Sequence, residues 1–227
     1  MHRRIGALAP SSRRTVAGCV GPDRRPARGE PAQPPLFLAV GTFVPHKGFG
    51  TALEAIALAT ARDVPVRLEL IGDGPELEGL RERAGARRLG SHVDFRGRLP
   101  NEVVLDRLTS SLALIVPSEV QPDGDRDGLP VAILDAAACG VPAIATGISG
   151  IPDFVVDGVT GLIVPERDPE ALLAAMVRLV DDPTLAARLG EAARARLEER
   201  HDSDRELRKL ADAWFPRTSR EAVRSTS

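Results

Sequence analysis

Tyrosine is absent from this chain of 227 residues, and aromatic side chains make up 3% of it. So few rings exclude base stacking as a binding mode and predict an aliphatic core of Val, Leu, Ile and Ala. Cysteine occurs only at Cys19 and Cys139, too few for a disulfide framework and in keeping with a reducing, cytoplasmic compartment. No run is long and apolar enough to cross a bilayer. Positive charge is not in excess either: 30 Lys+Arg face 32 Asp+Glu, a net charge of -2. That excludes the basic surface of a nucleic-acid binder. Histidine is scarce, with His2 and His201 in polar ends and His92 ahead of a strand; only His46 falls near a predicted ligand mouth. No pair has metal-ligand spacing, so no metal site is expected. What is present is ordinary globular composition, 43% hydrophobic and 27% charged.

The stretch 1–35 has no steady period. It is rich in Arg, with Asp23 and Glu30 as its acids, and Pro crowds its end. Ser12-Arg13-Arg14-Thr15 hints at a twin-arginine signal, and Val16-Ala17-Gly18-Cys19 at a lipoprotein cleavage site. Both would need an apolar segment of about 7–15 residues, and charges and prolines leave none. The expectation is a loosely ordered arm or linker.

From Leu36 onward, strands and helices alternate. Leu36 to Val40 is a continuous apolar run, the mark of a buried parallel strand. Further strands are predicted over Val64–Ile71, Val93–Phe95, Leu112–Val116, Val141–Ala145 and Thr160–Val164. Helices are predicted over Phe49–Ala61, Glu76–Arg88, Asn101–Leu108, Leu129–Cys139, Asp168–Val180, Thr184–Glu199 and Asp204–Trp214. Asp168 is placed to cap its helix. The alternation predicts an α/β fold, a Rossmann-like doubly wound parallel sheet, in a domain spanning 36–200 and followed by a C-terminal helix and disordered tail over 201–227. Ligands of such sheets bind beyond the carboxyl ends of the strands, where the unusual residues of this sequence gather.

Gly72-Asp73-Gly74 begins like a dinucleotide fingerprint, but Leu77 stands where the third Gly belongs. A tight strand-to-helix turn, with Pro75 at the first helical position, is the better reading, and it disfavours a nicotinamide oxidoreductase. No P-loop is present, and Ser118 lacks the context of a nucleophile elbow. Lys47 lies where a cation could neutralise a diphosphate beside helix N-terminal amides; an exposed Lys is as readily just solvated. Asp127 and Asp135 are eight apart, which puts them near one face of a helix starting at Leu129. A carboxylate at Asp135, amid Ile133, Leu134 and Ala136, is costly to bury without a partner. It either faces solvent, pairs with an Arg, or receives ribose hydroxyls.

Together these loops resemble one family. Gly41-Thr42-Phe43-Val44-Pro45-His46-Lys47-Gly48, Gly72-Asp73-Gly74-Pro75-Glu76, Arg96-Gly97, Pro117-Ser118, Asp127-Gly128-Leu129-Pro130 through Asp135, Gly150-Ile151-Pro152 and Gly158-Val159-Thr160-Gly161 are similar in order and spacing to the retaining group-1 glycosyltransferases of family-4 type. The similarity covers about Leu36 to Glu199.

The resemblance implies one half of a GT-B fold, the donor-binding half of an enzyme that moves a sugar from a nucleotide-diphosphate sugar to an acceptor hydroxyl. No cofactor is implied beyond the donor itself, and the transfer is metal-independent. Asp127 and Lys47 are the implied catalytic pair. The implied donor site also takes in Thr42, Arg96, Gly97, Ser118, Asp135 and the backbone amides of Gly128, Leu129 and Val131. Thr42 departs from the family's usual Arg, and Asp127 and Asp135 from its usual pair of Glu, Asp127 in the manner of a subtype variant. The implied acceptor is a sugar or lipid-linked sugar of cell-envelope polysaccharide or glycolipid synthesis. The acceptor-binding half is expected before Leu36, where 35 residues cannot hold it. The sequence therefore reads as a truncated or split enzyme, with peripheral membrane association through the missing half, and with Leu207, Leu210, Trp214 and Phe215 left to favour self-association. A nucleotide-sugar-binding module without turnover is the alternative.

Overall fold

The computed structural model of the chain describes residues 28, 29 and 32–200. The rest of the predicted arm, and the predicted helix Asp204–Trp214 with Leu207, Leu210, Trp214 and Phe215, lie outside the described residues. Of the stretch before the first strand, Gly29 N donates to Thr109 O (2.9 Å) and Ala32 N to Ser110 O (3.0 Å). Arg28 donates through Nη2 to Leu112 O (3.3 Å). Burial holds the Arg28 guanidinium below its ordinary range, against the pull of Glu191.

Among the described residues, six strands form one parallel sheet in the order β3-β2-β1-β4-β5-β6. They are β1 Leu36–Val40, β2 Arg67–Ile71, β3 Val93–Gly97, β4 Ala113–Val116, β5 Ala143–Thr146 and β6 Gly161–Val164. The helices are α1 Phe49–Ala61, α2 Leu77–Ala86, α3 Asn101–Thr109, α4 Val131–Ala138, α5 Ile151–Phe154, α6 Pro169–Asp181 and α7 Pro183–Arg200. A 3-10 turn, Pro45–Lys47, precedes α1.

The sheet is buried on both faces, which is why β1 is apolar throughout. Phe37 and Ala39 point to a layer shared with α1, α2 and α6. Leu36 and Leu38 point to the opposite layer, with α3 and α4. Helix α7 contributes to both layers, through Leu185 and Leu189 to the first and Ala193 to the second. The core is aliphatic in bulk, but the expectation of an aliphatic core is incomplete. Phe37, Phe43, Phe49 and Phe154 are all fully enclosed, and Phe43 meets Phe49 edge to face at 4.9 Å. Rings pack where one large side chain fills the junction between a loop and a helix.

Element boundaries differ from expectation for local reasons. Strand β2 starts at Arg67 rather than Val64 because 62–66 is spent leaving α1. Asp63 takes a left-handed φ of 55°, Val64 N returns to Ala59 O, and Pro65 has no N–H to offer a ladder. Helix α2 starts at Leu77, two residues beyond Pro75, with Glu76 as its N-cap and Glu76 N bonded outward to Phe43 O. Helix α4 starts at Val131 rather than Leu129, because the residue before a proline is held out of the helical region. The predicted cap of α6 is found: Asp168 Oδ1 accepts from Ala171 N at 2.9 Å. Helix α5 is four residues long, too short to show a period in sequence.

Candidate active site

The strand order decides where the site lies. From β1 the chain steps to β2 and β3 on one side, then returns to place β4 on the other. The crevice at that reversal, beyond the carboxyl ends of β1 and β4, is where ligands of such sheets bind. Two loops flank it: 41–48 after β1 and 117–130 after β4.

These loops are locked together at Gly48. Its φ is +64°, and a Cβ there would lie 1.9 Å from Pro117 O. No other residue type fits so close an approach. Glu119 N donates to His46 O at 2.8 Å, and Thr51 Oγ1 donates to Glu119 Oε1 at 2.8 Å. Arg167 Nε meets Glu119 Oε2 at 3.0 Å, and Val120 N donates to Glu166 Oε2 at 2.7 Å. The β6–α6 loop therefore braces the same corner. The β2 loop presses in from the other side, where a Cβ on Gly72 would lie 1.8 Å from Gly41 O. That close approach is what the Gly72-Asp73-Gly74 turn serves.

On this frame stands a compact polar cluster. Lys47 Nζ donates to Asp127 Oδ1 at 2.6 Å, and Ser118 Oγ donates to Asp127 Oδ2 at 2.5 Å. Ser118 is wholly buried, and its carbonyl accepts from Thr146 Oγ1 at 2.6 Å, so its hydroxyl is aimed at Asp127. His46 donates through Nδ1 to Asp125 Oδ2 at 2.8 Å, the carboxylate having no proton to give. His46 Nε2 stands 3.7 Å from Asp127 Oδ1. Side-chain exposure is 10% for Asp127 and 19% each for Lys47 and His46. These groups are thus shielded from water yet reachable at the mouth.

The other predicted site residues are placed as follows. Thr42 is exposed at the end of β1, and Gly128 is exposed on the β4 loop, with Leu129 half-buried. Val131 opens α4 with 54% of its surface exposed. Arg96 and Gly97 close β3. Arg96 Nη2 donates to Glu69 Oε1 at 2.7 Å, and this bond holds its guanidinium above its ordinary value. Arg107 Nη1 donates to the same oxygen at 3.2 Å, so the buried Glu69 carboxylate engages both arginines.

Helical spacing does not relate Asp127 to Asp135, because α4 begins only at Val131. Asp127 lies in the loop ahead of α4, since Pro130 delays the helix, and its direction is set by Lys47 and Ser118. Asp135 lies within α4 and is buried, so the solvent-facing alternative is excluded. Burial, followed by the charge of Asp135, pushes the Cys139 thiol up to about 12. His46 and Asp125 join this cluster although the sequence marks neither as a site residue; the nearness of His46 to the mouth is its one signal there. Among the described residues there is no cluster of three or more His, Cys, Asp or Glu able to hold a metal ion. Nor is any helix among them long and apolar enough to cross a membrane.

Residues 22–196 match the family model described as glycosyl transferases, group 1. This chain belongs to that family. Among curated group 1 relatives, a putative colanic acid biosynthesis glycosyltransferase of Salmonella typhimurium is 33% identical over 157 residues, covering 68% of this chain and 39% of that protein. A GDP-mannose-dependent phosphatidylinositol monomannoside mannosyltransferase of Mycolicibacterium smegmatis is 32% identical over 161 residues, covering 70% and 42%. The chain thus spans about two-fifths of the length of the curated relatives it matches. Among solved structures, the sucrose-phosphate synthase of Thermosynechococcus elongatus superposes with a TM-score of 0.68 at 28% identity, covering 79% of this chain and 44% of that one. Anabaena HepE in complex with UDP gives 0.70 at 20% identity, covering 79% and 48%. The sheet and its flanking helices therefore have the Rossmann-like fold of the GT-B glycosyltransferase structures they superpose on.

Proposed function

We propose that this chain is the donor-binding domain of a retaining, family-4-type glycosyltransferase that takes a nucleotide-diphosphate sugar. The observation that carries the reading is Lys47 held against Asp127 at the crevice between β1 and β4, 2.6 Å apart. A cation there can receive a diphosphate, and a carboxylate beside it can receive sugar hydroxyls. Transfer then loads negative charge onto the leaving diphosphate. Lys47 and the amides of Gly128, Leu129 and Val131, fixed before the reaction, would stabilise that charge without reorganising. Asp127 would orient the sugar and oppose the positive charge developing at the anomeric carbon. Thr42 and Gly97 would line the same mouth, and Asp135 would receive the ribose. Arg96 and Ser118 would act behind the ligand, through Glu69 and Asp127. The chemistry on this reading asks for no metal ion.

A relative named as GDP-mannose-dependent and a solved neighbour in complex with UDP support a donor of the GDP- or UDP-sugar class, and the relatives' names support an acceptor in polysaccharide or glycolipid synthesis. The acceptor must meet the anomeric carbon in a closed, water-poor cleft, and a second domain would supply its other wall. We therefore read the isolated chain as competent to bind donor and poor at transfer; self-association or docking of a separate acceptor half belongs to the same proposal. We propose a cytoplasmic site of action, at the membrane periphery where the acceptor is lipid-linked.

Calorimetric titration with UDP-glucose, GDP-mannose and NADH tests the first part. Sugar-nucleotide binding with no response to NADH is expected; the reverse would sink the reading. Incubation with sugar and lipid acceptors, with and without a supplied acceptor domain, tests the second. Robust transfer by a demonstrated monomer alone would show that no second wall is needed.

A further inference from the structure

Asp127 has two carboxylate oxygens and two fixed donors. Oδ2 is held by Ser118 and Oδ1 by Lys47. If Lys47 turns to a diphosphate, Oδ1 loses its cation while Asp127 stays largely enclosed, 10% exposed. A sheltered carboxylate stripped of its partner is costly and would swing toward water, away from the sugar. The next donor in reach is His46 Nε2, 3.7 Å from Oδ1. Its ring is already anchored through Nδ1 to Asp125, and its carbonyl is fixed by Glu119 N. The ring meets the carboxylates of Asp125 and Asp127, and Lys47 Nζ approaches the same Asp127 oxygen.

Resting on the donor-site reading above, we infer that His46 is a positioning residue: it takes over Asp127 Oδ1 when Lys47 engages the diphosphate, and so keeps Asp127 aimed at the donor sugar. A sub-ångström advance of the ring closes the 3.7 Å gap to hydrogen-bond distance. In that arrangement each ring nitrogen faces a carboxylate oxygen, Nδ1 that of Asp125 and Nε2 that of Asp127. Asp125 fixes the far side of the ring, which gives the acidic loop 121–127 a part in donor recognition. Lys47 and His46 act in succession, one on Asp127 before the donor arrives and one after.

The experiment measures affinities for UDP, UDP-glucose, GDP and GDP-mannose by calorimetry, in wild type, His46→Ala, His46→Gln and His46→Arg. His46→Ala should weaken the sugar nucleotide about 5- to 10-fold, the effect of one net hydrogen bond, and the matching diphosphate less, since only the sugar needs Asp127 aimed at it. His46→Gln guards against loss of fold by keeping a side chain of similar size. His46→Arg, with donors for both carboxylates, should restore most of the sugar preference. In an Asp127→Asn background His46→Ala should add nothing. Equal losses for diphosphate and sugar nucleotide, or an undiminished His46→Ala effect in that background, would overturn the inference while leaving the donor site standing. Binding of none of the four ligands by the wild type would overturn both.

Discussion

Lys47 and Asp127 neutralise each other across the mouth of the sheet, Nζ to Oδ1 at 2.6 Å. The cation comes from the loop after β1 and the anion from the loop after β4, eighty residues apart in sequence. An anionic ligand must part them before it gains Lys47. The free site is therefore closed on itself electrostatically, and ligand binding exchanges one ion pair for another.

Lys47→Ala should weaken a nucleoside diphosphate by about 10- to 100-fold, in line with the roughly 1.5–3 kcal/mol of a charged hydrogen bond. The parent nucleoside, which carries no charge near the loop, should be affected far less. Calorimetry with both ligands checks this; equal losses would assign Lys47 to structure.

Asp135→Ala should lower affinity for a ribonucleotide by a similar margin and hardly change affinity for its 2′,3′-dideoxy analogue. Asp135 is buried in α4, so thermal melts must accompany the titration. Unchanged ribonucleotide affinity with an intact fold would count against the ribose role.

Gly48→Ala should be costly beyond the usual glycine substitution. Left-handed φ and a Cβ 1.9 Å from Pro117 O act together, and strain of about 1–3 kcal/mol is the scale for the backbone part alone. A fall in Tm and loss of donor binding should appear together, because the same contact fixes Lys47 relative to Asp127.

Cys139 should be inert. Burial and the nearby Asp135 carboxylate push its thiol up to about 12, and the thiolate is the reactive form. In a Cys19→Ser variant, a colourimetric thiol reagent at pH 8 should report no rapid reaction until denaturant is added. Rapid labelling of the folded chain would contradict the enclosed position.

Asp182 precedes α7 and accepts from Thr184 Oγ1 at 2.6 Å and from Leu185 N at 2.9 Å. The Thr184 bond, then the Leu185 amide, holds its pKa below the ordinary carboxylate value. A depressed folded-state pKa adds stability above the unfolded value and loses it as pH falls through the folded one. Asp182→Ala should therefore lower Tm at pH 7, and the difference from wild type should shrink towards pH 3. A difference independent of pH would assign the loss to something other than the carboxylate.

The sequence by itself determined the class of fold, because the apolar run at Leu36–Val40 and the helical spacing through Phe49–Ala61 are local patterns that one buried sheet enforces. It determined the N-cap at Asp168 for the same reason: a cap acts within one turn. The candidate site was legible in part, since Lys47, Ser118 and Asp127 stand out at strand ends. Their mutual geometry was not legible. In the sequence, helical spacing relates Asp127 to Asp135, whereas α4 begins only at Val131 and the direction of Asp127 is set by Lys47 and Ser118. The role of Gly48 and the pairing of His46 with Asp125 were equally hidden. Each depends on β4 lying beside β1, and on two loops distant in sequence pressing within hydrogen-bond reach. Only the tertiary structure decides that, because contact between loops depends on strand order rather than on the residues next to them in the chain.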